Sequence, residues 1–271
     1  MASVALVLLT AACSDKGTAP AADVAAPGGA PASTAATVPG SAIPVPAVPS
    51  TTTTTMLRRY GDRMPQFTSA PPAVRMAPSA GAAPMLGSIE TTQPVAFLTI
   101  DDGFVRHPEA LQLLKEANIP VSLFLVSGAV DDDPGYFADL QAAGATIQAH
   151  SIDHEILKGR PYDFQRQEIC GSADQLGQLF GVRPTLFRAP GGAYDQTTLQ
   201  AAADCGMKGV LFWREAVNDG VLQFQRPDGV VRPGDVILMH FRQSFVEDFL
   251  AAVNGIAAAG LTPARLEDYI G

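Results

Sequence analysis

Charge is sparse in this 271-residue chain, with Asp, Glu, Lys and Arg making only 17% of it, below the usual quarter for a soluble domain. Basic residues are the scarcer kind: 18 Lys and Arg stand against 27 Asp and Glu, a formal net charge of −9. A nucleic-acid binder displaces counterions from phosphate with a basic stripe. None is present, so no nucleic-acid partner is expected, while a neutral carbohydrate is untouched by the argument. Cysteine is rarer still, at Cys13, Cys170 and Cys205. With no C-x-x-C pair, a thiolate zinc site and a thioredoxin-like motif are excluded. Long apolar runs are missing as well. The run that opens the chain has about ten residues, half of what a bilayer span requires. Hydrophobic residues nevertheless make up 47%, enough for a substantial core in one good-sized domain or two small ones.

The opening run, M-A-S-V-A-L-V-L-L-T-A-A-C, suits the apolar region of a signal peptide. Small residues directly before Cys13 resemble the bacterial lipoprotein box, although no Lys or Arg precedes the run and Thr10 stands where that box prefers Leu. Residues 1–13 are therefore expected to direct export, with a lipid on Cys13 holding the protein to the outer face of a membrane. A plain secretory signal cleaved nearby is the other reading, and it exports the protein too. Residues 14–90 are rich in Ala, Pro, Thr, Ser and Gly, including the run Thr51 to Thr55. Such a composition buries too little to offset its ordering entropy, so a disordered linker is expected here. Cys170 and Cys205 remain as a pair. They form one disulfide in an oxidising compartment, or else two buried thiols packed as small hydrophobes.

From Pro94 the texture changes. Short apolar runs at 95–100, 121–126, 145–149, 186–187, 208–212 and 235–239 read as strands buried on both faces. Helical patterns at 108–117, 136–143, 162–180, 196–204 and 245–259 alternate with them. This alternation predicts a parallel α/β domain over 91–271. Periodicity does not separate a barrel from an open doubly wound sheet. In either case, polar residues just beyond the strands sit where such folds house their chemistry.

Five clusters fall there. Asp101-Asp102-Gly103 follows the first strand; two adjacent carboxylates divide their roles if one binds a cation and the other stays free as a base, though Asp-Gly also suits a solvated turn. His150-Ser-Ile-Asp-His154 spaces two of the chain's four histidines as metal ligands, and with one carboxylate they complete a triad that leaves a position open for water. In Arg188-Ala-Pro-Gly-Gly192 the arginine suits a carboxylate partner, and the glycine backbone suits a developing oxyanion. Trp213 with Glu215 and Asp219 forms the fourth cluster, and Leu238-Met-His240 the fifth. A histidine at this rim is able to protonate a leaving group if a carboxylate holds its other nitrogen. Each cluster alone is also compatible with a turn or a core residue.

In this order the clusters resemble the motifs of the polysaccharide deacetylases, carbohydrate esterase family 4, also called the NodB homology domain. Thr99-Ile-Asp-Asp-Gly103 matches the first motif, T-F-D-D-G; His150–His154 the second, H-S/T-x-x-H; Arg188–Gly192 the third, R-x-P-x-G; Leu238–His240 the fifth, L-x-H. The resemblance spans roughly residues 93–271 and implies a distorted (β/α) barrel. It implies Asp101 as general base, with Asp102, His150 and His154 as ligands of a divalent metal, zinc above all, with cobalt or another divalent ion as the alternative. It further implies Arg188 as the partner of Asp101, His240 as general acid, and the Gly191 amide as an oxyanion donor where the family often carries an aromatic residue. Asp219 is the expected partner of His240, with Glu215 in reserve, and Trp213 is expected to bind substrate. The reaction implied is hydrolysis of N-acetyl groups on a cell-wall or chitin-like polysaccharide, and a monomer is expected. An O-acetyl esterase on xylan, or an idle cell-wall-binding protein, are the alternatives.

Overall fold

The computed structural model describes residues 59–271. The expected signal segment, Cys13 and the first part of the expected linker lie outside the described residues. In chain order the elements are β1 (Met85–Leu86), β2 (Val95–Asp102), α1 (Ala110–Ala117), β3 (Ser122–Leu125), α2 (Ser127–Val130), α3 (Pro134–Ala142), β4 (Thr146–Ala149) and α4 (Tyr162–Phe180). There follow β5 (Leu186–Phe187), α5 (Gln196–Asp204), β6 (Gly209–Leu211), β7 (Glu215–Asn218), β8 (Val221–Phe224), β9 (Val236–His240), α6 (Phe245–Ala258) and β10 (Thr262–Pro263). Local chemistry sets several boundaries. Asn118 and Gly181 take left-handed conformations that close α1 and α4, as helix ends prefer. Asp195 opens α5 with a capping box shared with Thr198.

The strands form a sheet ordered β1-β6-β5-β4-β3-β2-β9-β7-β8, with β10 pairing with the start of β2. All pairs are parallel except the β7–β8 hairpin. The sequence pattern implied a parallel α/β domain, and the curved, incompletely closed barrel seen here is the form that the resemblance implied. Side chains alternate across it with a period of two. Ala96, Leu98, Ile100, Leu123, Leu125, Phe187, Ile237 and Met239 join the core shared with Leu113, Ile169, Phe249 and Val253 of the helices. Val95, Phe97, Phe124, Leu186 and Val236 belong to a second cluster, closed by Leu266 and by Tyr269, whose ring meets Phe97 edge-on. The same alternation carries Thr99 and Asp101 along from Phe97, Arg188 from Leu186 and His240 from Val236. Three strands thus deliver polar side chains to one rim.

Two expectations are corrected here. Residues 59–90, read as part of a disordered linker, are laid against the domain. Tyr60, Met64, Ala83, Leu86 and Ile89 are buried, β1 pairs with β6, and the Met76 and Ile89 amides donate to the Tyr269 and Gly234 carbonyls. The anchors are scattered apolar residues that meet distant parts of the chain, so no local period announces them. The second correction is a hairpin. Asp219 and Gly220 have φ of 50° and 74°, the pair of positive values that a tight two-residue turn demands. They join β7 to β8, strands that the sequence reading did not anticipate.

Cys170 of α4 and Cys205 at the end of α5 form a disulfide, so of the two readings the bridge holds. It closes 35 residues of sequence separation, for which chain entropy in the unfolded state gives about 3–4 kcal/mol. Urea melts with and without reductant, or of Cys170→Ala/Cys205→Ala against the parent, are expected to differ by that order. Coincident melts would mean that the bridge adds nothing to stability.

Candidate metal and catalytic centre

In a regular strand, Asp101 and Asp102 would face opposite sides of the sheet. Asp102 instead takes φ of 83°, an uncommon conformation outside glycine. The turn brings both carboxylates to the same rim. Gly103 follows with φ of 105°, and a Cβ there would stand 2.8 Å from Val130 Cγ1 and 3.1 Å from Phe137 Cζ. Glycine is required for the loop to press this closely on the core.

His150 and His154 come from the loop after β4. The His150 Nδ1 atom lies 2.8 Å from the Arg188 carbonyl oxygen. A carbonyl only accepts, so Nδ1 carries the proton and Nε2 is left facing the carboxylates, the orientation that metal-binding histidines are given by their outer partners. His150 Nε2 is 3.6 Å and His154 Nε2 3.5 Å from Asp102 Oδ1. The loop between them bends at Ser151 and His154, with φ of 68° and 60°. It is pinned on three sides. The Ser127 and Gly128 amides of α2 donate to the Ser151 and Ile152 carbonyls, the Ser151 hydroxyl accepts the His154 amide, and Glu168 of α4 accepts the Ile152 and Asp153 amides at 2.9 and 3.3 Å.

Glu168 was not singled out from sequence. Its signal lay in the helix period: Gln165, Glu168, Ile169, Ser172 and Leu176 form the buried face of α4, and a glutamate on such a face needs a partner. Glu168→Ala is expected to weaken metal affinity by about 10–100-fold, the usual cost of removing an outer partner. Glu168→Gln, which keeps an acceptor oxygen, should lose much less. Competition with a fluorescent chelator measures both, and an unchanged Glu168→Ala affinity would rule the support out.

Arg188 is fully buried. Its Nη1 donates to Asp101 Oδ1 at 2.6 Å and to Thr99 Oγ1 at 2.9 Å, and its Nη2 to the Phe212 carbonyl at 3.2 Å. The guanidinium also lies 4.3 Å from the Phe124 ring centroid. Burial draws the Arg188 pKa down, while Asp101 opposes it by charge and hydrogen bond. Asp101, itself buried, pairs level with His240 on β9. The structure thus brings Asp101, Asp102, His150, His154, Arg188 and His240 to one place.

It does not bring Asp219 there. That residue is an exposed member of the hairpin turn, and His240 Nδ1 is buried with no partner. Glu215 fails as the reserve. It sits level with Ile237, three residues before His240, and bonds Arg226 beside Asp235. Burial, and then the Asp235 charge, push its carboxyl up to about 8. Gly191 is exposed on the turn Pro190–Gly192. Gly192 has a packing duty: a Cβ there would stand 2.5 Å from Phe212 Cε2 and 2.9 Å from Trp213 Cη2. Phe212 and Trp213 stack at 4.1 Å. Trp213 is half-buried, packed partly against the inner cluster and 5.9 Å from the Arg188 guanidinium. Gly192 therefore makes room for an aromatic pair that follows β6.

The donor set fits a divalent cation. One ligand atom from each of Asp102, His150 and His154 lies within 4.8 Å of the others. Ligands at about 2.0–2.2 Å in a tetrahedron stand roughly 3.4 Å apart, close to the 3.5 and 3.6 Å seen here and too long for good hydrogen bonds. Asp102 Oδ1 is buried without a hydrogen-bond partner, an unmet demand for positive charge. Titration follows the same demand. Burial works to raise the Asp102 pKa, but the imidazoles, His150 foremost, carry it below its ordinary value. Burial works to lower that of His150, but Asp101 and Asp102 raise it.

Comparison with known proteins agrees. Residues 88–210 match the polysaccharide deacetylase family. A protein of Streptomyces coelicolor described as uncharacterized is 39% identical over 192 residues, 69% of this chain and 77% of that one. The chitooligosaccharide deacetylase of Sinorhizobium fredii is 29% identical over 166 residues, 55% of this chain and 73% of that one. Among solved structures, BA3943, a CE4 family pseudoenzyme from Bacillus anthracis, superposes with a TM-score of 0.61 at 18% identity, covering 72% of this chain and 70% of its own; that likeness speaks for the fold. The chain belongs to the polysaccharide deacetylase family. Its class is that of hydrolases acting on carbon–nitrogen bonds other than peptide bonds, and within that class it is a deacetylase of the carbohydrate esterase 4 type.

Proposed function

We propose that the protein is an exported, metal-dependent enzyme that removes N-acetyl groups from a cell-wall or chitin-like glycan, with peptidoglycan the foremost substrate. The observation that carries this reading is the buried Asp101–Arg188 pair set beside the converging Asp102, His150 and His154. Those three would hold the cation, zinc by the nitrogen-rich donor set. When bound, such an ion polarises a carbonyl and lowers the pKa of a water.

The chain's own groups do the rest. Asp101, with Oδ1 fixed by Arg188, accepts the proton of the attacking water through its other oxygen. The Gly191 amide donates to the developing oxyanion. His240 gives a proton to the departing nitrogen, so that acetate and a free amine leave. Export is supported by the Cys170–Cys205 bridge, since disulfides persist in oxidising compartments. Attachment through Cys13 and a monomeric state remain part of the proposal.

One observation favours a second reading, an O-acetyl ester substrate. His240 Nδ1 has no carboxylate partner, and burial lowers the His240 pKa despite Asp101 and Asp102. An amine cannot depart unprotonated, whereas an alkoxide depends less on its acid. The deciding experiment is acetate release from peptidoglycan, chitooligosaccharides and acetylated xylan, before and after chelation and with zinc or cobalt restored. Release from the first two, abolished by chelator and recovered with metal, is the expected result. Release from xylan alone would move the assignment to the ester, and release that ignores chelation would remove the metal. No acetate from any of the three would leave a binding protein.

A further inference from the structure

Two large apolar side chains beside the site are left in water: Phe104 is 55% exposed and Ile156 49%. Scattered apolar residues on a surface need no explanation. These two differ in position and in company. They lie on different loops, after β2 and after β4, and neither belongs to the hydrophobic clusters of the domain. The Phe104 ring meets the His154 ring edge-on, with centroids 6.1 Å apart and planes at 85°. Ile156 Cδ1 comes within 3.2 Å of where a Cβ on Gly191 would stand. Phe104 against His154 and, two residues further along the same loop, Ile156 against the Gly191 turn are taken together as one strip beside His154, the most exposed of the three candidate ligands. Placement of Phe104 is enforced from below. Gly103 is wedged against Val130 and Phe137, so the next side chain is delivered outward, not into a core that is already filled.

We infer that this strip is a platform for a sugar ring next to the one being deacetylated, with Phe104 as its main surface and Ile156 as its far edge; the inference rests on the deacetylase reading of the site. The ligand is a β-linked amino-sugar chain. Each pyranose in it has an apolar face of axial C–H groups that lies flat on an aromatic ring, with its hydroxyls directed to solvent. Binding sites combine such apolar surface with a few polar groups that fix orientation. Here the polar groups belong to the reacting residue's site, and the platform adds reach along the polymer. Phe104 and Ile156 thereby favour oligomers over a single N-acetylated sugar.

The test compares Phe104→Ala and Phe104→Tyr with the parent, on tetrameric and monomeric N-acetylglucosamine. Affinity is measured by calorimetry in an Asp101→Asn background, and turnover with the base intact. Phe104→Ala is expected to raise Kd and KM for the tetramer about tenfold, as loss of one ring contact would, with kcat changed little and monomer kinetics less affected. Phe104→Tyr should restore the tetramer preference. Unchanged Kd and KM in Phe104→Ala would overturn the platform while leaving the deacetylase standing. Tetramer binding that depends on Phe104, without any acetate release by the parent, would do the reverse.

Discussion

Asp101→Asn is expected to lower acetate release by about a thousandfold or more, in line with loss of a positioned base, while metal stoichiometry stays at the parental value. The two halves of this result come from different atoms. Asparagine keeps the shape of the side chain, and its carbonyl still accepts from Arg188 Nη1, now 2.6 Å from Asp101 Oδ1. It cannot take a proton from water. The proposed metal ligands are Asp102, His150 and His154, none of which is altered. A modest stability cost should accompany the change, about 1–3 kcal/mol, because a buried guanidinium exchanges an anionic partner for a neutral one. Metal content by elemental analysis, thermal melts and acetate assays give the three readings. A variant that keeps more than a tenth of the rate would remove Asp101 from the role of base.

Arg188→Met should have the largest effect on folding. The side chain is wholly buried and serves Asp101, Thr99 and the Phe212 carbonyl together. Its removal leaves the Asp101 carboxylate buried beside unmet acceptors, and breaking a buried pair in this way costs about 3–5 kcal/mol. Denaturant melts measure it. Arg188→Lys separates positioning from stability. An ammonium carries the charge but cannot reproduce the planar fork that reaches three partners. The lysine variant is expected to fold and to lose about a hundredfold in kcat, the scale of an ångström-level misplacement. If Arg188→Met melts with the parent, the pair contributes no net stability. If Arg188→Lys matches the parental kcat, the fork does not position the base.

Much of this centre was legible in the chain because its elements announce themselves locally. The runs at 95–100 and 121–126 are almost wholly apolar and that at 145–149 alternates, so their strands and the polar residues just beyond them could be placed within a residue or two. The motif residues Asp101, Asp102, His150, His154, Arg188 and His240 do meet. Asp219 does not, because Asp-Gly between two short alternating segments is a hairpin signal, and the segment was read as a catalytic motif instead. Glu168 was passed over because its partners are backbone amides 15 and 16 residues away. Residues 59–90 misled through composition alone: scattered anchors such as Tyr60, Met64 and Ile89 are buried without any repeating pattern.

By itself the sequence determined the strand and helix order, the fold class and the residue types gathered at the rim, since these follow from apolar period and from groups placed at strand ends. Only the tertiary structure decided which atoms face one another. The left-handed turn at Asp102 sets two neighbouring carboxylates toward one centre, the Arg188 carbonyl fixes the His150 tautomer, and a buried His240 nitrogen goes unmatched. Those outcomes depend on contacts between segments far apart in the chain, which no local window contains.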